Sequence, residues 1–475
     1  MRICFVTEGC YPYVAGGVSS WMHSMIKAFP KVEFVILTII TDRSSSGKFV
    51  YELPPNVTEV HEAYLNDSDW SPKRRYFNIP SKAVHALESL VLNKDVDWET
   101  VFDYVQRERP SINDLLMGKE FYNIVKTYYD NEFSEITFTD FLWTMRSVYL
   151  PLFQVLLTDV PKADIYHCVA TGYAGILGCL ASRIHGGQLM LSEHGIYTRE
   201  REEELIQAEW LQGFYKNIWI DHFKKMSQAV YDRAAVVTSL FEHARELQED
   251  LGCPREKQVI TPNGIDVTRF ENIPQKDENE KYVDIGAFVR VTPIKDIKTL
   301  IQAFFTAKQA VPNLRLWIMG PDDEDEEYAA ECHQYADHLG LKDVIFTGRI
   351  NTTEYIGRMD FTILTSISEG QPLVILESYA ARKPAIATDV GNCKGLLYGE
   401  GDDDLGHAGI LTHVMNHREL TAAMIELATH KQMAQKMGEI GYQRLKIKYT
   451  IGHMQGMYQS IYKNLAEREG VKWPE

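Results

Sequence analysis

The chain has 475 residues, 45% of them apolar and 11% aromatic, enough for two or three fully cored domains at about 150 residues each. Its 49 basic against 66 acidic side chains leave a formal charge of −17, which excludes the cationic face that non-specific nucleic-acid binding requires. Seven scattered cysteines without a C-x-x-C pair predict reduced thiols, and no run approaches the roughly 18–20 apolar residues of a membrane span, so a cytoplasmic protein is expected.

The first apolar run, Ile3–Val6, is too short for a signal peptide and reads as a strand. A glycine-bearing loop, Glu8–Trp21, an amphipathic segment through Phe29 and the strand-like Glu33–Ile40 complete a βαβ unit. Residues 62–160 break this rhythm, and their periodic pieces (Lys82–Leu92, Ile112–Tyr129, Thr137–Leu157) predict a mainly helical insertion. Strands at Asp164–Val169 and Gln188–His194 then flank a small-residue helix, Gly172–Ile184. A long helix is expected over Glu202–Tyr231, and two more strands lead to Pro262-Asn263-Gly264, a strong turn signal.

A polar stretch over 264–282 marks a boundary. Beyond it the strand–helix alternation resumes with strands at 283–288, 314–320, 343–348, 361–366 and 385–389, predicting a second parallel sheet. Near the C-terminus Met454, Met457, Tyr458, Ile461, Tyr462 and Leu465 recur at helical spacing and form one apolar face, expected to pack across the domain junction.

Glu369 and Glu377 lie eight positions apart in SISEGQPLVILESYAA (Ser366–Ala381). Pro372 suits a first helical turn, so a helix is expected over Leu373–Ala381 with Glu369 just ahead of its positive end. Glu377 falls about one and a half turns inside. Free N–H groups in Gly370–Leu373 form an anion site where a diphosphate can sit, with one carboxylate reaching a sugar hydroxyl on each side. The plainer reading is a dipole-favoured acid plus one solvated glutamate.

Other candidates follow strand ends. Gly16-Gly17 opens the first helix, either to admit a phosphate or as a tight turn. Arg290 and Lys295 follow the first strand of the second unit, where both cations can converge on a diphosphate, or remain solvated. His194 ends a strand and can donate to a sugar oxygen, whereas His167, inside an apolar strand, reads as a hydrogen-bonded core residue. The acidic runs Asp322–Glu327 and Asp402–Asp404 read as solvated and self-repelling, no metal motif is present, and Lys73-Arg74-Arg75 reads as an exposed loop.

In chain order, AGGV (Ala15–Val18), TPNGID (Thr261–Asp266), Arg290 with Lys295, the Glu369/Glu377 pair and ATDVG (Ala387–Gly391) resemble the retaining GT-B glycosyltransferases of family GT4. EGCYPYVAGGVSSW and SEHGIYTRERE are most similar to its PelF-type branch, associated with Pel exopolysaccharide synthesis and likewise carrying a long insertion in its first half. The resemblance implies an α/β fold of two Rossmann-like doubly wound domains facing a cleft. An acceptor domain would span 1–262, with its helical insertion at about 62–160 and the last helix, about 451–475, returning to it; a donor domain would span 263–450.

It further implies that Arg290 and Lys295 bind the donor diphosphate, assisted by the turn Gly370, Gln371, Pro372 and Leu373. Glu369 would contact the transferred sugar, Glu377 the ribose, and His194 the sugar from the first domain. Gly16 and Gly17 would close on the phosphates, and VIFTGRI (Val344–Ile350), ending in Arg349 and Ile350, would recognise the base. The implied activity is transfer of a hexose from a UDP-sugar, UDP-glucose foremost, to a growing exopolysaccharide with retention. No metal or cofactor is implied, and a membrane export complex is a candidate partner. Two other readings stay open, a GT-B sugar-nucleotide epimerase and a non-catalytic subunit of a polysaccharide export complex. A glycogen-synthase-like role is weaker, because the first loop lacks Lys-x-Gly-Gly.

Overall fold

Strands buried on both faces need continuous apolar runs, and runs such as ICFV and EFVILTII form the centre of the first sheet. The computed structural model describes residues 1–65, 79–92, 94–208, 211, 213–277 and 279–474; Lys73, Arg74 and Arg75 lie outside them. Contacts divide the chain into two units, Met1–Ile260 with Tyr458–Glu475, and Thr261–Met457.

The first unit holds a parallel sheet of β1 (Arg2–Glu8), β2 (Glu33–Ile40), β3 (Val57–Tyr64), β4 (Ile165–Cys168), β5 (Gln188–Ser192), β6 (Val236–Ser239) and β7 (Gln258–Ile260). Their spatial order is β3-β2-β1-β4-β5-β6-β7. The second unit holds β8 (Val283–Phe288), β9 (Leu314–Met319), β10 (Val344–Gly348), β11 (Phe361–Leu364), β12 (Ala385–Thr388) and β13 (Gly409–Thr412), in the order β10-β9-β8-β11-β12-β13. Both are Rossmann-like doubly wound arrangements. The order reverses between β1 and β4 and between β8 and β11, and in such sheets ligands bind beyond the carboxyl ends of the strands at that reversal. Each unit has its own apolar core around its sheet.

The described residues between β3 and β4 form the helices Ser81–Val91, Trp98–Glu108, Ile112–Leu116, Lys119–Glu132 and Phe138–Leu156. The helix expected over Ile112–Tyr129 is two. Ser111 and Asp114 close a capping box on the first, and Gly118 starts the second. The helix expected over Glu202–Tyr231 is also two, Tyr197–Gln207 and Phe214–Arg233, the latter starting from Gly213 at φ +45°.

Pro262-Asn263-Gly264 makes no turn. The segment carries no regular element, and Ile265 bridges to Thr450. A Cβ on Gly264 would lie 2.3 Å from the Thr450 carbonyl oxygen, so glycine serves close approach of two backbones here. The apolar face of the helix Ile451–Arg468 buries Tyr458, Tyr462 and Leu465 in the first unit, where Tyr462 OH hydrogen-bonds His167 Nδ1 at 2.7 Å. Ser192 Oγ bonds the other ring nitrogen of His167 at 2.7 Å. That histidine is a core residue with both polar atoms satisfied.

Candidate functional site

The second unit gathers its polar loops at the β8/β11 reversal. After β8 the chain passes through Arg290 into a short 3-10 turn, Pro293–Lys295, and Asp296 then caps the helix Ile297–Ala310. The loop after β11 is stitched to this one: Thr365 Oγ1 donates to the Lys295 carbonyl at 2.8 Å, and the Ile367 N–H to the Ile294 carbonyl at 2.8 Å. The stitching brings Lys295 Nζ to 2.5 Å from Glu369 Oε1, with the two side chains only 15% and 14% exposed. Ser366 Oγ donates to the same carboxylate oxygen at 2.5 Å.

Beyond Glu369 the helix Leu373–Ala380 begins, capped by Pro372. Among the described residues the N–H groups of Gly370, Gln371, Leu373 and Val374 meet no protein acceptor, as expected at a helix start. Gln371 is buried and fixes the turn from behind: its Oε1 accepts from the Asn263 N–H at 2.8 Å. The Asn392 N–H donates to the Gly370 carbonyl at 2.8 Å. Glu377 is half-buried. Burial raises its carboxyl above the ordinary value, Arg269 opposes the shift, and no hydrogen-bond partner faces it among the described residues.

Gly391 explains why ATDVG ends as it does. Its φ is +52°, and a Cβ there would lie 2.2 Å from the Gly370 carbonyl oxygen and 2.3 Å from that of Glu369. Gly391→Ala must therefore displace the turn that presents Glu369. We expect a loss of about 1–3 kcal/mol in stability and a UDP affinity lowered at least about tenfold, that is about 1.4 kcal/mol, read by thermal melting and calorimetry. An alanine variant with unchanged UDP affinity would remove this turn from the site.

The two cations do not converge. Arg290 is 53% exposed and pairs with Glu324 at 2.6 Å, while Lys295 is committed to Glu369. The acidic run Asp322–Glu327 is solvated, with Asp323, Glu324, Glu326 and Glu327 exposed, and two of its members also have partners: Glu324 holds Arg290, and Asp325 caps the helix Glu326–His338. In Asp402–Asp404 the outer two are exposed as expected, and only Asp403 departs from the solvated reading, its carboxylate buried against Arg444. Arg349, which is exposed, and Ile350 follow β10, the strand farthest from the reversal on that side.

In the first unit Gly16 is the cap and Gly17 the first residue of the helix Gly17–Ala28. Gly16 has extended backbone, and a Cβ on either would meet nothing within 4 Å. The fold does not demand glycine there, so neither a tight turn nor packing explains the pair. His194 follows β5 and sets its ring 4.5 Å from that of Trp21, edge to face, a neighbour that sequence reading missed because the two are 173 positions apart. Its Nε2 is buried and finds no partner among the described residues. Burial pushes its pKa down to about 4.

The imidazole is therefore neutral above pH 5, able to exchange one hydrogen bond but not a charge. His194→Gln should lower kcat/KM about tenfold, the scale of one neutral hydrogen bond, with the shape of the pH profile between 5.5 and 8 unchanged. A limb near pH 6.5 that vanishes in the glutamine variant would contradict this. Glu193, next to it, is buried among Tyr231 and Gln248, and burial raises its carboxyl to about 7.

Among the described residues no group of three or more His, Cys, Asp or Glu is placed to hold a metal ion, and no helix is long and apolar enough to cross a membrane.

Comparison with known proteins divides the chain similarly. Residues 1–256 match the family model "Domain of unknown function (DUF3492)", and residues 268–444 match "Glycosyl transferases group 1". EpsD of Bacillus subtilis, named as a glycosyltransferase, is 25% identical over 340 residues, covering 68% of this chain and 82% of EpsD. WcaL of Escherichia coli, named for colanic acid biosynthesis, is 24% identical over 179 residues; these cover 36% of this chain and less than half, 43%, of WcaL. The crystal structure of Anabaena HepE in complex with UDP-glucose superposes with a TM-score of 0.60 at 14% identity, covering 98% of this chain and 100% of HepE. That likeness is one of fold.

Proposed function

The chain belongs to the DUF3492 family and is a GT-B-fold glycosyltransferase of group 1; from that premise we propose that it is a retaining hexosyltransferase of the GT4 kind. Its donor is a UDP-sugar, UDP-glucose foremost, and its acceptor a growing exopolysaccharide. The observation that carries this reading is the Lys295–Glu369 pair, drawn together at the sheet reversal beside a row of unengaged helix-start N–H groups. A cation and oriented amides suit the charge that develops on a departing nucleoside diphosphate. In this reading Glu369 binds a hydroxyl of the transferred sugar and Glu377, inside the helix, binds the ribose. On the same reading the Lys295 ammonium supplies the positive charge that a metal ion supplies elsewhere. HepE with UDP-glucose supports the donor class, and the names of EpsD and WcaL support the polysaccharide setting. The PelF-like segments favour that branch.

The test has two arms. UDP-glucose is incubated with and without a saccharide acceptor, and the anomeric configuration of the product is read by NMR. Transfer with retention is expected; an epimerised donor in the acceptor-free arm identifies an epimerase instead. Separately, Glu377→Gln should weaken UDP binding about tenfold, the loss of a charge-assisted contact of about 1.5 kcal/mol. Calorimetry reads it, and failure of the unaltered protein to bind any nucleotide would favour the non-catalytic subunit.

A further inference from the structure

At the opposite edge of the second sheet, where its strands begin, a cavity of about 280 Å³ opens among Gln275, Lys276, Asp277, Glu280–Val283, Asp360, Arg382–Pro384 and the junction of the helices His417–Thr429 and Lys431–Lys448. Its lining is basic in a chain whose overall charge is −17. Several of its charges are already paired. Lys276 lies 2.6 Å from Asp284 and also contacts Asp360, Arg382 pairs with Glu439, and Glu280 lies 3.6 Å from Arg315. Among the described lining residues, what remains is Lys281, Lys383 and Lys431 against Asp277. Among the described residues none of these three ammonium groups has a carboxylate within ion-pair distance.

Lys383 is half-buried, which makes its unpaired charge the more costly. Burial pushes its amine below the ordinary value, Asp360 opposes, and the neighbouring Lys276 and Lys431 charges push it further down. The residue before it, Arg382, has φ +57°, left-handed backbone that a glycine would take without strain. That turn, with the Lys383 N–H donated to the Ser378 carbonyl at 2.9 Å, ends the helix Leu373–Ala380 and delivers Lys383 to the cavity wall. The first turn of the 18-residue helix from Lys431 adds its positive end.

We propose that this cavity binds a small phosphate monoester, at a second site separate from the donor site. Its volume sits near the lower limit of small-molecule sites, roughly 300 Å³, which suits orthophosphate or a compact sugar phosphate and not a nucleotide-sugar. The site lies at the amino-terminal edge of the sheet, whereas Lys295 and Glu369 lie beyond its carboxyl ends, yet one eight-residue helix runs from the Glu369 turn to Lys383.

Calorimetry on UDP-saturated protein tests it, with orthophosphate and ribose 5-phosphate as probes and ribose as control. One phosphate-bearing probe per chain should bind and ribose should not. Tighter binding of ribose 5-phosphate than of orthophosphate assigns a sugar phosphate, and equal binding assigns free phosphate. Lys383→Met combined with Lys431→Gln should lower probe affinity at least tenfold while UDP affinity stays unchanged. Should that double variant fail to fold, Lys281→Glu on the exposed rim should still lower it at least threefold. The proposal is overturned if neither phosphate probe binds in the presence of UDP, or if binding is unaltered in the variants that fold. Loss of UDP binding alone, with phosphate binding intact, would count against the donor site and leave this one standing.

Discussion

Replacing Lys295 by alanine should lower kcat by about 10²–10³, or about 3–4 kcal/mol, with a much smaller change in KM. The size follows from position. Lys295 is not a surface cation: it is 15% exposed, its backbone carbonyl is held by Thr365, and its ammonium is 2.5 Å from Glu369. A charge fixed in a largely desolvated place stabilises a developing phosphate charge far more than one free in water. Because that charge grows as the sugar–phosphate bond breaks, the loss belongs to turnover more than to ground-state binding. Lys295→Arg should not rescue it, since the planar fork cannot occupy the space of a compact ammonium between Glu369 and its loop. Steady-state kinetics with a UDP-sugar donor decides the matter, and full activity in Lys295→Ala would end the assignment of this site. The alanine variant should also lose about 1–3 kcal/mol of stability, because among the described residues the Glu369 carboxylate then keeps Ser366 alone as a partner. A glutamine at 369 in the same background should recover most of that stability and none of the activity.

The paired acids Glu369 and Glu377 were legible because their spacing and Pro372 are local signals, and the helix begins where the proline predicts. Central strands were legible for a similar reason: burial on both faces writes an uninterrupted apolar run. The edge strand β3, VTEVHEAY, was hidden by its charges, which suit a strand with one side unpaired, and β13 by its four-residue length. Partnerships across long sequence separations left no trace. Nothing local ties Arg290 to Glu324, Gln371 to Asn263 or His194 to Trp21, and these decide which candidate is exposed, which is fixed and which is neutral. Gly391 stood in a motif without a reason until the backbone of Glu369 and Gly370 was found packed against it.

Arg444 carries the other large expected effect, on stability. It is fully buried, and its guanidinium makes five hydrogen bonds. Nε and Nη2 donate to Asp403 at 2.7 and 3.1 Å, Nη1 to the Leu396 and Leu397 carbonyls at 3.0 and 3.1 Å, and Nη2 to the Gly406 carbonyl at 2.6 Å. The planar fork thus ties the end of the helix Cys393–Tyr398 and the loop after it to the helix Lys431–Lys448. Arg444→Met keeps the aliphatic stem but leaves Asp403 charged and buried and the Gly406 carbonyl without its guanidinium donor, while the Leu396 and Leu397 carbonyls keep the Tyr379 hydroxyl and the Ala408 N–H, so we expect a loss of about 3–5 kcal/mol. Adding Asp403→Leu should return part of it, because the stranded charge is then gone. Burial alone would raise the Asp403 carboxyl, but the Arg444 hydrogen bonds and charge hold it below the usual range. A depressed carboxyl contributes stability that is complete above the unfolded-state value and fades as the pH falls through the folded one. In Arg444→Met burial, no longer opposed by the guanidinium, raises the Asp403 carboxyl. The gap between the native chain and the variant should therefore be wide at pH 7, begin to close as the pH falls through that raised value, above the ordinary carboxylate range, and be smaller at pH 3. Denaturant titrations at pH 7 and pH 3 measure both points, and a gap under about 1 kcal/mol at pH 7, the scale of an exposed pair, would show that the ion pair is not what holds this loop.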